Sequence, residues 1–232
     1  MAEPLTYTLD DTVAIVRMDD GKANALSVAM IDALLGALER AEREAKALVL
    51  VGRAERFCAG FDLRVMMSGP AEATALLKRG SELLMRLYAA AVPLVIACTG
   101  HAIAGGALVV LTGDVRFGAA GAFKIGLNEV AIGLPVPVLA MELARDRLVA
   151  TELPRATLTA QMYAPDEALR AGFLDAVVPA EELLARAKQE AARLGAFAAG
   201  AFRATKQRLR GATIEHVRGT LDRDMASLLT PS

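Results

Sequence analysis

Gly100-His101-Ala102-Ile103-Ala104-Gly105-Gly106-Ala107-Leu108 is followed about twenty residues later by Gly126-Leu127-Asn128-Glu129. The first segment is a glycine-rich turn. It can bring backbone amides close to an anionic oxygen and open a helix whose N-terminal dipole adds positive potential. The second sets a lone carboxylate, Glu129, among apolar neighbours from Ile125 to Gly133. Together they suit chemistry in which a carbonyl becomes an enolate: amide donors hold the oxyanion and one base moves the proton. An earlier segment, Phe57-Cys58-Ala59-Gly60-Phe61-Asp62-Leu63, is the candidate for the second donor.

The flanking sequence predicts the frame that holds these segments. Ala47–Val51 and Leu94–Cys98 are short apolar runs without polar alternation, as expected of strands buried on both faces. Residues 115–117 and 122–125 are further short strand candidates. Residues 5–9 and 13–18 alternate around Asp10-Asp11 and predict an opening hairpin. Ser27 is positioned to cap a helix carrying Ile31, Leu34, Leu35 and Leu38 at helical spacing, with Glu39–Arg43 and Glu42–Lys46 pairs on its polar face. Gly69-Pro70 starts another, with Leu76, Leu77, Leu83, Leu84 and Leu87 inward. Buried strands alternating with amphipathic helices argue for an α/β core of repeated crossover units. Beyond Gly133 the chain turns helical: residues 138–148, 153–161 and 165–171, a short strand at 175–178, a helical stretch from Pro179, and a last helix at 213–229.

Composition excludes several classes. The 232 residues carry a formal net charge of −1 and 4 % aromatics, which gives no general reason to expect nucleic acid or an anionic membrane as partner. The richest apolar stretch, residues 92–111, is interrupted by Pro93, His101 and three glycines, and reads as strand, turn and helix rather than a membrane span. The start, Met1-Ala2-Glu3-Pro4, lacks the basic and apolar regions of a signal peptide, so cytoplasmic residence is expected. Cys58 and Cys98 sit in apolar runs without metal-ligand spacing and are expected to be core thiols. His101 and His216 are too few for a metal centre, and no metal is expected.

Four segments in order carry a family resemblance: Lys22-Ala23-Asn24-Ala25-Leu26, Phe57 to Leu63, residues 100–114 and residues 126–133, with weaker similarity at 164–178. They resemble the crotonase superfamily, the enoyl-CoA hydratases and isomerases. The resemblance implies a crotonase-like spiral of ββα units over residues 1–178 holding an acyl-CoA site. It implies a C-terminal helical region over 179–232 that builds a homotrimer or dimer of trimers. The substrate is expected to be an acyl-CoA thioester, with coenzyme A entering as part of the substrate and no separate cofactor.

Carried over position by position, the oxyanion donors are the amides of Phe61 and Gly105, and the base is Glu129. Adenine contacts fall on backbone around Ala23 and on Ala59, Gly60, Asp62 and Leu63. Asn128 is a candidate to orient carboxylate or substrate. Asp62 and Asp114 match motif positions as capping or pairing groups, and His101 as a packing residue. Lys22, Arg64 and Lys206 are candidate phosphate partners, and Val136, Val138, Leu139 and Met141 candidate acyl-pocket residues. Hydratases of the family carry a second glutamate three residues after the donating glycine. Here that position is Leu108, and residues 100–135 resemble the mitochondrial-type 3,2-enoyl-CoA isomerases more closely than the hydratases. A double-bond shift needs one proton shuttle; hydration is served by two carboxylates. A hydratase, thioesterase, decarboxylase or dehalogenase of the same fold is the alternative. From another class, Arg203, Lys206 and Arg210 on one helical face, with Arg208 nearby, suggest a non-catalytic CoA or RNA binder.

Overall fold

The computed structural model describes residues 3–228. Two parallel stacks of strands are wound by one chain. Strands β1 (Leu5–Asp10) and β2 (Val13–Met18) form the expected antiparallel hairpin, and helix α1 (Val28–Glu44) follows. Ser27 caps α1 by accepting a hydrogen bond from the Met30 amide at 3.2 Å.

From there each turn of the spiral gives one strand to a large sheet, the next to a small sheet, and then a helix. The first turn is β3 (Ala47–Val51), β4 (Glu55–Cys58), the short α2 (Leu63–Met66) and α3 (Pro70–Tyr88). The second is β5 (Leu94–Cys98), β6 (Gly100–Ile103) and α4 (Gly105–Thr112). The third is β7 (Val115–Ala119), β8 (Ile125–Gly126), a 3-10 turn over Val130–Ile132, and α5 (Val138–Arg147). After α6 (Leu153–Thr157) and α7 (Pro165–Ala171), β9 (Ala176–Val178) closes the large sheet, whose order is β1-β2-β3-β5-β7-β9; the small sheet is β4-β6-β8. This is the crotonase-like architecture. It winds this way because β3 and β5 are apolar on both faces. Leu48, Leu50, Leu94 and Ile96 face the inner core under α1, α3 and α4. Val49, Val51, Val95 and Ala97 face helix α8 (Leu183–Gly195) through Leu183, Ala187, Ala191 and Leu194.

Several boundaries differ from the sequence-based expectation. The second strand of the third turn is two residues long, at Ile125–Gly126, and α6 stops at Thr157. On α1 the ion pair is Arg40 to Glu44 at 2.8 Å. Glu42 turns inward to Arg86 at 3.1 Å and the Ala91 amide at 2.9 Å instead of to Lys46. The last helix, α9, spans Ala199–Leu228 rather than starting at residue 213. Its buried stripe is Lys206, Arg210, Ile214, Val217 and Met225. Hydrophobic periodicity misses the first half because the inward residues there are cations.

Those cations correct two expectations. Lys206 and Arg210 are only 6 % and 3 % exposed. Lys206 donates to the Asp114 carboxylate at 2.6 Å and to the Ala90 carbonyl at 2.9 Å, and Arg210 pairs with Asp114 at 3.0 Å. Neither is free for a coenzyme phosphate, and the proposed cationic stripe is not a surface. Asp114 is the pairing group that the motif implied, and its carboxylate also accepts from the Leu94 amide at 2.7 Å.

Candidate active site

The Phe61 amide is freed by its neighbours' hydrogen bonds. The Leu26 amide donates to the Gly60 carbonyl at 2.8 Å and the Asp62 amide to the Leu26 carbonyl at 3.3 Å, which leaves the Phe61 N–H turned from this pairing. Gly60 adopts φ +90, open to glycine at little cost. Asp62 then caps α2, accepting from the Arg64 amide at 3.0 Å and pairing with its guanidinium, which holds the Asp62 pKa down.

The second amide is aimed by strain. Ala104, whose amide donates to the Gly126 carbonyl at 2.9 Å, sits at φ +50, ψ −121, where a residue with a side chain is rarely found. That kink starts α4 with the Gly105 N–H unpaired. Neither the Phe61 nor the Gly105 amide has a protein acceptor among the described residues. The two loops abut: a Cβ built on Gly60 would lie 3.3 Å from the Gly105 nitrogen. Gly106 permits the approach, since a Cβ there would stand 2.0 Å from the Cys58 carbonyl oxygen. Gly106→Ala is therefore expected to push α4 away from the β4 loop. Thermal melting should record a large loss of stability, and binding of an acyl-CoA should weaken in parallel.

A cavity of about 200 Å³ lies against Phe61 and Ala104, the residue before Gly105. Glu129 enters it where the chain leaves β8. The Leu134 amide donates to its carbonyl at 2.9 Å and the 3-10 turn follows immediately, so the residue is held while its side chain points inward. Glu129 is 8 % exposed and its Oε2 has no partner; the neighbouring Asn128 Oδ1 is also buried and unpaired. Burial pushes the Glu129 pKa above its ordinary value of 4.5, because no cation compensates the desolvated charge. Unpaired buried oxygens beside two free amides are what a binding site for a polar reacting group requires.

The enoyl-CoA hydratase/isomerase family model matches residues 8–226. The chain belongs to that family. Human mitochondrial enoyl-CoA delta isomerase 1 is 30 % identical over 94 % of this chain and 74 % of its own length. A Mycobacterium tuberculosis protein, called an enoyl-CoA isomerase in one solved structure and a probable enoyl-CoA hydratase in another, superposes with a TM-score of 0.93 at 39 % identity, covering 98 % of this chain and 99 % of the other in the first. An enoyl-CoA hydratase from Mycobacterium ulcerans superposes with a TM-score of 0.92 at 41 % identity, covering 96 % and 98 %. Relatives of both reaction names are equally near.

Of the site residues expected in this hydratase/isomerase family member, Ala59, Phe61, Leu63, Leu108, Asn128 and Glu129 line the cavity. Gly60 and Asp62 shape the Phe61 loop from behind. Ala23 lies outside the cavity, where its carbonyl accepts from the Ala59 amide at 3.0 Å. Lys22 and Arg64 are exposed. Of the four acyl-pocket candidates only Leu139 lines the cavity; Pro135 and Pro137, not Val136, Val138 and Met141, complete that wall. The unforeseen wall is Leu77 and Ser81 on α3 with Met225 and Leu228 on α9. The far end of α9 is held there by Lys78–Asp222 at 2.6 Å and by the Val138 amide donating to Asp224 at 2.8 Å. Gly80 was likewise missed. A Cβ there would lie 2.1 Å from the Phe61 ring, so a bare turn of α3 seats the ring. His101 packs edge-on against Phe123 as a structural residue, and Cys58 and Cys98 are buried thiols.

Proposed function

We infer that this acyl-CoA enzyme moves the double bond of a 3-enoyl-CoA to the 2-position. The observation that carries the reading is that Glu129 is the single titratable side chain among the described residues lining the cavity. Leu108, 2 % exposed, fills the position at which the family's hydratases carry a second glutamate.

The Glu129 carboxylate removes a proton from the α-carbon. The C–H electron pair moves into the thioester, whose oxygen becomes an enolate oxyanion held by the Phe61 and Gly105 N–H groups. The same carboxyl then returns the proton at the γ-carbon, the double bond settles between the α- and β-carbons, and the enolate charge is relieved. One acid does both transfers, so atoms and protons balance without water. Each amide contributes ~3–4 kcal/mol to such a transition state, and the carboxyl about 10²–10⁴ in rate. Apolar walls keep water from the dienolate and keep Glu129 a stronger base than a solvated carboxylate. Asn128 orients the thioester beside it.

Hydration needs a water positioned by one group while another handles the carbon-bound proton, and leucine at 108 can do neither. Turnover of 3-hexenoyl-CoA should therefore exceed hydration of crotonyl-CoA at equal enzyme concentration. Faster hydration would replace this reaction with the hydratase alternative. The assembly proposed with it is a homotrimer or dimer of trimers, supported by exposed apolar side chains such as Leu158 and Leu209. A monomer in sedimentation would reject that part.

A further inference from the structure

The double-bond shift employs Glu129, Asn128 and the two amides, and gives no task to Ser81. That residue lies on α3, is 3 % exposed, and lines the cavity one helical turn after Leu77. Its hydroxyl makes no hydrogen bond to another described residue and opens onto the cavity. Buried helical hydroxyls normally escape this state by bonding back to a carbonyl in the preceding turn. Others in this protein do so: Thr112 donates to Val109 at 2.7 Å and Thr157 to Leu153 at 2.7 Å. Ser81 instead stands unpaired in an apolar wall. Alanine would fill that place without presenting an unpaired oxygen to the cavity, and a chain bound there that cannot pair the hydroxyl buries it unsatisfied.

The occupant is the tail of an acyl chain whose thioester oxygen sits at Phe61 and Gly105. Along that tail the walls offer Met66, Leu77, Leu139 and Met225, and among the described residues no polar side chain besides Ser81 and the Asn128–Glu129 pair at the reacting end.

We propose that the site prefers acyl-CoA thioesters whose chain bears an oxygen, as a hydroxyl or keto group, beyond the reacting carbons, and that the Ser81 hydroxyl recognises it. The proposal rests on the acyl-CoA reading but not on the direction or type of the reaction. A plain chain leaves Ser81 unpaired; an oxygenated one pairs it and keeps its own oxygen hydrogen-bonded. Discrimination of this kind comes from the penalty on the mismatched substrate as much as from the bond gained.

Saturated thioesters test it, because they bind without being isomerised. Octanoyl-CoA and its 5-, 6- and 7-hydroxy and oxo counterparts are titrated by calorimetry into the wild type and Ser81→Ala, with thermal melts confirming that the variant is folded. At least one oxygenated chain should bind the wild type about tenfold more tightly than octanoyl-CoA. Ser81→Ala should bind octanoyl-CoA at least as well as the wild type and show no such preference. The proposal is overturned if the wild type prefers no oxygenated chain, binds none of the series, or passes its preference unchanged to Ser81→Ala. Turnover of 3-octenoyl-CoA is measured alongside. A preference that holds without isomerisation would reject the reaction and keep the role of Ser81.

Discussion

Glu129→Gln should lower kcat for 3-enoyl-CoA isomerisation by about 10²–10⁴ while leaving the affinity for a saturated acyl-CoA nearly unchanged. The amide fills the same volume, so cavity and oxyanion amides stay in place, but it cannot accept the α-proton. Near wild-type turnover would remove Glu129 from the chemistry. The pH dependence gives a second reading of the same residue. Only the ionised carboxylate is a base, and burial holds its pKa above 4.5. The rate should therefore fall on the acid side with a midpoint displaced upward from that value, and the residual rate of the variant should lack that limb. Stability should move the opposite way. The folded pKa is the higher one, so folding takes up a proton between the ordinary and raised values, and stability is lost as pH rises through that window. Glutamine removes this penalty. The variant should melt at a higher temperature than the wild type at pH 7, with the gain shrinking below pH ~4.5.

Asp114→Asn should be the most damaging isosteric change away from the cavity. The carboxylate is the shared partner of Lys206 and Arg210, both carried inward by α9, and it also accepts from the start of β5. Losing its charge leaves two buried cations without their anion. The expected cost is about 3–5 kcal/mol, or a fall in Tm of roughly 6–20 °C for a chain of this size. A double variant with Lys206→Met should recover part of the loss, because one of the stranded charges is then gone. Equal melting temperatures for Asp114→Asn and the wild type would show that the carbonyls around Lys206 and Arg210 suffice. Activity is expected to fall with stability. Arg210 and Arg147 also donate to carbonyls at the C-terminal end of α4, Arg147 reaching Gly113 at 2.8 Å. The other end of α4 aims the Gly105 amide.

The fold was legible where burial acts on every residue of a segment. Ala47–Val51 and Leu94–Cys98 could only be strands covered on both sides, and they are. Ser27 and Gly69-Pro70 marked helix starts because their local chemistry is decided within one turn. The family motifs picked out Phe61, Leu108, Asn128 and Glu129, which line one cavity, and Gly105, which follows the lining residue Ala104, since the glycine turn and the carboxylate each sit just beyond a parallel strand in neighbouring turns of the spiral.

Elsewhere local rules failed for definable reasons. The first half of α9 carries its inward stripe as Lys206 and Arg210, so hydropathy reads as surface what ion pairing makes interior. Gly80 looks like a weak point in α3 until the Phe61 ring is seen against it. Met225 and Leu228 stand about a hundred residues after Glu129 and share no motif with it, yet they line the same cavity.

The order of residues alone determined buried strands alternating with amphipathic helices, and the motifs shared with the family supplied the ββα spiral, the candidate amide donors and the candidate carboxylate, because those motifs are short segments whose backbone conformation is set by near neighbours. Only the tertiary structure decided the walls of the cavity, the unpaired hydroxyl of Ser81 and the fate of the cations on α9. Those depend on which distant surfaces come together when water is excluded, and charge and hydrogen-bond satisfaction are settled at that point.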